Sequence, residues 1–215
     1  MTQFDQSKYW VERHQRLPGD PRSVGNMGRS LEENQRSELL VREVVDRAAR
    51  LLAAARTALD LGCGYGRVSR CFTDQGYRYL GVDVSPDAIQ HAKEHNPAAE
   101  FQVGDLSKWT TDRRFDVVCV LYVFIHFVDD AEWLSLLERA LSWVAPAGAL
   151  LMADEFPKER EATRLHVVSR PLKAYDVILE VHGFQFDHAF REQLIGSGNE
   201  VLPQARPFRL ARRRD

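Results

Sequence analysis

Apolar residues recur along this chain with two alternating periods. From Leu31 to Ala55, the positions Leu39, Leu40, Val44, Val45, Ala48, Leu51 and Leu52 follow helical spacing, and Ser30 with Glu33 predicts a capping box at that helix's start. Thr57-Ala58-Leu59-Asp60-Leu61 is a short apolar run halted by glycine, which predicts a buried strand. A helix from about Arg67 to Gln75 follows, closed by Gly76, and Tyr79–Asp83 is a second strand. Ser85-Pro86 opens another helix, because Ser caps well and Pro suits the first helical position. Phe101–Val103 and Phe115–Leu121 are strands three and four. A helix from about Asp130 to Trp143, a turn at Pro146-Ala147-Gly148 and a strand at Ala149–Ala153 come next. Pro171 to Val181 reads as helix, and Phe184–Phe190 and Arg206–Arg212 read as the last two strands.

Strands alternating with helices of this length imply an α/β fold with a parallel sheet covered on both faces, most simply an open, Rossmann-like doubly wound sheet. The 215 residues suit one domain, and no repeat or linker divides them. Within it, residues 57–155 form the core. Residues 1–30 are set apart by Pro18, Gly19, Pro21, Gly25 and Gly28, with Tyr9, Trp10 and Arg13 on a short amphipathic helix. That helix either packs on the sheet edge or acts as a lid over the ends of the strands.

Charge changes the picture by exclusion. With 29 Lys and Arg against 31 Asp and Glu, the chain lacks the basic field expected of a nucleic-acid or membrane-surface binder. Arg212-Arg213-Arg214 reads as a solvated tail. No apolar run approaches the ~20 residues of a membrane span, and the first ten residues do not read as a signal peptide. Cys63, Cys71 and Cys119 form no metal or disulfide pattern, so a cytoplasmic protein with reduced thiols is expected, as monomer or homodimer.

The chemistry collects at strand ends, where open α/β sheets bind their ligands. Gly62-Cys63-Gly64-Tyr65-Gly66 places three glycines at alternate positions between strand one and its helix, where backbone N–H groups can meet a ligand. A dinucleotide fingerprint wants its third glycine at position 67, which is Arg67 here, and this weighs against NAD. Asp83 closes strand two, where a carboxylate can accept both hydroxyls of a ribose. Asp105 follows strand three, with Leu106 beside it to pack on a ring.

Asp60-Leu61-Gly62-Cys63-Gly64-Tyr65-Gly66, Gly81-Val82-Asp83-Val84-Ser85, Gly104-Asp105-Leu106 and Phe115-Asp116-Val117-Val118 together resemble the four ordered motifs of class I S-adenosylmethionine-dependent methyltransferases. The resemblance covers about residues 57–155, and for residues 156–182 it implies a candidate substrate wall. It implies a seven-stranded sheet with the last strand antiparallel, and S-adenosylmethionine as cofactor, leaving S-adenosylhomocysteine. It places Asp60, Gly62, Cys63 and Gly64 at the methionine end, Asp83 on the ribose, Val84, Asp105 and Leu106 around the adenine, and Tyr122 by the sulfonium. The Asn/Asp-Pro-Pro-Tyr motif of nucleic-acid amino-methylating members is absent; Leu121-Tyr122-Val123-Phe124-Ile125-His126 stands there and resembles the small-molecule enzymes.

Methyl transfer is an in-line displacement that gains chiefly from alignment, for which effective molarity offsets ~7–11 kcal/mol of barrier. Tyr9, Trp10, Tyr65, Tyr122 and Phe124 are candidates for an aromatic wall around the cation, with Arg13 and Arg170 on the acceptor side. For an oxygen acceptor, His126 is the first candidate base and His166 the second; His14, His91, His95, His182 and His188 receive no role. No metal is expected, since Asp129 and Asp130 read as a helix cap rather than as partners of Asp154 and Glu155. The expected function is methylation of a small molecule, on oxygen, in secondary metabolism. The alternatives are N- or C-methylation, an NAD-linked oxidoreductase, or a non-catalytic adenosylmethionine- or partner-binding domain.

Overall fold

Pleat alternation decides how this chain is layered. In the computed structural model, which describes residues 4–52, 54–197 and 201–214, successive residues of each central strand face opposite cores. β1 (Thr57–Leu61) sends Ala58 to one side and Leu59 and Leu61 to the other; β4 (Phe115–Leu121) and β5 (Val144–Ala153) do the same with Cys119 against Val118 and with Leu151 against Leu150. Runs this apolar require cover on both faces. α2 (Leu31–Leu51), α3 (Ser69–Thr73), α4 (Pro86–His95) and α7 (His188–Ile195) cover the first, and α5 (Asp130–Ser142) and α6 (Leu172–Val181) the second.

With β2 (Arg78–Asp83), β3 (Glu100–Val103), β8 (Phe184–Phe186) and β9 (Phe208–Arg213), the strands form one seven-stranded sheet of order β3-β2-β1-β4-β5-β9-β8. β9 runs antiparallel to both its neighbours, and the other pairings are parallel. The strand order reverses beside β1 and β4, so the ends of β1, β2 and β4 open onto one crevice. The seven strands and the antiparallel last strand are as expected from sequence.

Local signals explain most boundaries. Ser30 and Glu33 form the reciprocal capping box of α2, and Ser85 caps α4 ahead of Pro86. Four expectations change. Pro146–Gly148 is not a free turn but lies within β5, as a bulge between the Phe115–Val144 and Val117–Ala149 pairings. The last-but-one strand stops at Phe186, because Asp187 accepts the Phe190 N–H at 2.8 Å and starts α7 instead. Residues 161–169 form a small hairpin, β6 (Glu161–Arg164) and β7 (Val167–Ser169), that periodicity did not reveal. The C-terminal arginines are not a loose tail: Arg212 pairs with Asp187, Arg214 with Glu180, and Arg213 lies over the Phe184 ring at 4.7 Å. Among the described residues no helix is long and apolar enough to cross a membrane.

Candidate active site

The crevice is a cleft that opens between α1 and the carboxyl ends of the strands. Gly62, Cys63, Asp83, Val84, Asp105, Leu106 and Tyr122 line it, which gathers seven residues from the ends of four strands. The loop after β1 reaches it by leaving the right-handed backbone regions: Gly62 has φ +75° and Gly64 φ +54°. Asp83 fastens the loop, accepting the Gly64 N–H at 2.9 Å on one carboxylate oxygen and the Ser85 N–H at 2.9 Å on the other. Each oxygen keeps a further acceptor site. Asp105 accepts from the Ser107 N–H at 2.9 Å and the Ser7 hydroxyl at 3.0 Å. Burial pushes its pKa up, but these bonds and Lys108 outweigh that and hold it below the usual carboxylate range.

These residues fit an adenosyl ligand. A buried carboxylate with spare acceptor capacity suits a diol, and Val84, Leu106 and Phe127 supply apolar plates for a base. A side chain at Gly62 would collide with Val123, which lines the cleft. Tyr122 completes the rim in a conformation rare for a bulky residue, φ 58°, fixed by its N–H to the Ala153 carbonyl at 2.7 Å.

The first helix, α1 (Gln6–Arg16), roofs this cleft rather than packing at a remote edge: Gln6, Ser7, Trp10 and His14 all line it. Spacing brings them together, since residues four apart share a helix face. Arg13, 5% exposed, points the other way and donates to the carbonyls of Arg22 and Gly25. It thereby pins the loop whose Val24 sits over Gly64. Its remaining guanidinium nitrogen donates to Tyr9 Oη at 3.2 Å, and Trp10 lies 4.9 Å from its carbon.

His126 and His166 are neighbours, with rings 5.8 Å apart and nearly parallel. His126 Nδ1 lies 2.8 Å from the His166 carbonyl oxygen. A carbonyl only accepts, so Nδ1 carries the hydrogen and Nε2 keeps its lone pair. Burial, with His166 and Arg13 nearby, lowers the His126 pKa to about 4 against the raising effect of that hydrogen bond. His166 is also lowered, by burial and then by Arg13 and Arg164; Tyr9 stacks on its ring at 4.6 Å. The edge of Trp10 meets the His126 ring at 4.7 Å. Beyond this pair opens a wider chamber, which shares Val24, Arg67, Tyr122 and His126 with the cleft.

Several expected site residues lie elsewhere. Phe124 is fully buried in the lower core against Tyr175, because the turn after β4 directs it under the sheet. Arg170 is 2% exposed and spends its guanidinium on Asp130 and the Phe127 carbonyl, over the Trp133 ring. Asp60 faces the interior, accepting from Tyr79 Oη at 2.5 Å, and burial raises its pKa to about 6. Gly64 meets the cleft through its loop and Asp83, not through its own surface. Tyr65 turns away to Glu38. Asp129 caps α5, and Asp154 is buried with Tyr175 Oη at 2.7 Å. Conversely, His14 and Arg67, given no role from sequence, both stand at the site. Trp10, Asp83 and Tyr122 line the cleft.

Residues 58–148 match the family model described as a methyltransferase domain. The chain is 32% identical over 126 residues to 2-methyl-6-phytyl-1,4-hydroquinone methyltransferase of Synechocystis, a stretch covering 56% of this chain and 39% of that protein. It is 34% identical over 112 residues to trans-aconitate 2-methyltransferase of Methylobacterium radiotolerans, covering 48% and 41%. The match thus spans less than half of either relative. In structure, it superimposes on magnesium protoporphyrin IX methyltransferase of Synechocystis, solved with bound S-adenosylmethionine, at a TM-score of 0.71, with 18% identity and 100% of each chain covered. The family model over residues 58–148 and the superposition agree on the fold, a seven-stranded, mostly parallel sheet with one antiparallel strand that this chain shares with the solved methyltransferase.

Proposed function

We propose that this chain transfers the methyl group of S-adenosylmethionine to an oxygen of a small organic molecule. The observation that carries this is the junction of two cavities at Tyr122 and His126: one cleft suited to an adenosyl ligand, one wider chamber beside it for an acceptor. The trans-aconitate and hydroquinone enzymes among its relatives act, by their names, on small molecules, in keeping with this reading. When bound, S-adenosylmethionine supplies a methyl group on a sulfonium, and the sulfur keeps the bonding pair as the acceptor oxygen forms its new bond. Asp83 and the glycine loop hold the donor's position, and the roof of Ser7, Trp10 and His14 excludes water from a step in which charge disappears. His126 Nε2, free at the junction, takes the hydroxyl proton.

Its pKa of about 4 sets the pH behaviour. The imidazole is already neutral above that value, so kcat/KM is expected to fall only as pH drops toward 4, and to show no ionisation of His126 between pH 6 and 8. Stability follows the same sign: an imidazole whose folded pKa lies below its unfolded value of ~6.5 contributes stability that is lost as pH falls through that window. His126→Ala should lower kcat by about 10²-fold and leave S-adenosylhomocysteine affinity intact. Unchanged turnover on a small-molecule hydroxyl panel would remove His126 from the mechanism.

The roof acts as a lid in this reading. Trp10 and Ser7 bridge to His126 and Asp105, so cofactor should slow proteolytic cleavage within residues 4–25. Equal cleavage rates with and without S-adenosylhomocysteine would make α1 a fixed part of the wall.

A further inference from the structure

We propose that the acceptor carries an anionic group, a carboxylate or a phosphoryl, which docks in the wider chamber against Arg67 and Arg164. This rests on the methyl-transfer reading above and assigns its substrate class.

The chamber is lined by Arg13, Arg29, Arg67 and Arg164 and by a single carboxylate, Glu155. The chain as a whole carries 29 basic against 31 acidic residues, so this excess is local and sits inside a cavity. Several arginines elsewhere are answered by acids, Arg22 by Asp20, Arg113 by Glu100, Arg170 by Asp130 and Arg212 by Asp187, and Arg139 by backbone carbonyls. Among the described residues, none of the four chamber arginines makes such a pair. Arg13 is committed to backbone carbonyls and Tyr9, and Arg29 reaches only Ser37 Oγ at 3.5 Å.

Arg67 and Arg164 have neither a hydrogen bond nor an ion pair from their guanidinium groups to the described residues. Arg67 is half-buried and stands where the two cavities meet. Asp60 acts on Arg67 only at a distance, which leaves the guanidinium fork open, and that planar fork matches carboxylate or phosphoryl oxygens two at a time. Arg164, exposed at the β6 end of the hairpin, also lines the chamber. An acid held between them lies beside Tyr122 and His126, which leaves another oxygen of the same molecule within the junction. The neutral state of His126 and His166 fits this arrangement. Burial first, and then the nearby cations, lowers both pKa values, so the imidazoles stand in the chamber as neutral groups beside the arginines.

The test compares benzoate, phenyl phosphate and neutral benzamide by calorimetry on the full chain saturated with S-adenosylhomocysteine. At least one anion should bind about tenfold or more tighter than benzamide, and whichever is tighter identifies carboxylate or phosphoryl as the group. Arg164→Gln, on an exposed strand, should weaken that anion by about tenfold while leaving benzamide and S-adenosylhomocysteine unchanged. Arg67→Gln should weaken it at least as much. The proposal is overturned if all three ligands bind alike, if none binds, or if neither substitution matters. Should S-adenosylhomocysteine itself fail to bind, the methyl-transfer reading falls first; if it binds and the chamber is indifferent to charge, only the anionic acceptor falls.

Discussion

Gly64→Val should cost the chain at least about a hundredfold in affinity for S-adenosylhomocysteine, roughly 2.7 kcal/mol. Gly64 sits at φ +54°, a region that a β-branched residue enters only with strain of about 1–3 kcal/mol. A Cβ there would also stand 2.6 Å from Val24 Cγ1, in the loop that Arg13 pins over the cleft. Relief must move either that loop or the Gly64 N–H that Asp83 holds, and both belong to the cofactor's surroundings. The fold should survive, with Tm lower by about 2–4 °C for each kcal/mol of strain in a chain of this size. Calorimetry and a melting curve on the same preparation separate the two effects. A folded variant with parental affinity would show that the glycine loop does not hold the ligand.

Asp83→Ala is the second large effect, and it acts on two properties at once. Read from sequence, Asp83 is a ligand group, so its loss would leave the cofactor-free protein as stable as before. The structure shows otherwise. Its carboxylate satisfies the Gly64 and Ser85 N–H groups, and each donor left buried without an acceptor costs about 1–3 kcal/mol. The melting point of the free protein should therefore fall measurably, and S-adenosylhomocysteine affinity should fall at least about tenfold through loss of the charged acceptor. Asp83→Asn, which keeps one acceptor oxygen, should recover part of the stability and little of the binding. Parental affinity in Asp83→Ala would contradict the ribose assignment.

How much of this was legible depends on the range of the interaction concerned. The sheet, its flanking helices and seven of the cleft residues follow from local pattern and from motifs at strand ends, since a residue's place at a strand end is set by its own segment. What was missed required knowing which segments meet. Phe124 and His126 lie two apart after β4, but only the turn's path decides that Phe124 goes under the sheet and His126 stays above it. Arg170 has the composition of a substrate ligand, and Asp130, forty positions away, consumes it. His14 was the recoverable omission: Gln6, Trp10 and His14 stand four apart, so a roof containing Trp10 contains the other two. The β6–β7 hairpin, with no buried residue in β6, carries no periodicity to detect.

The central claim is that the cleft at the ends of β1, β2 and β4 binds an adenosylmethionine-type ligand. Titrating the unmodified full chain with S-adenosylhomocysteine, and separately with NAD, tests it most directly. The account predicts one S-adenosylhomocysteine bound per chain, no heat from NAD at the same concentration, and loss of the first signal in Asp83→Ala. Saturable NAD binding that S-adenosylhomocysteine cannot displace, or no binding of S-adenosylhomocysteine at all, would contradict it.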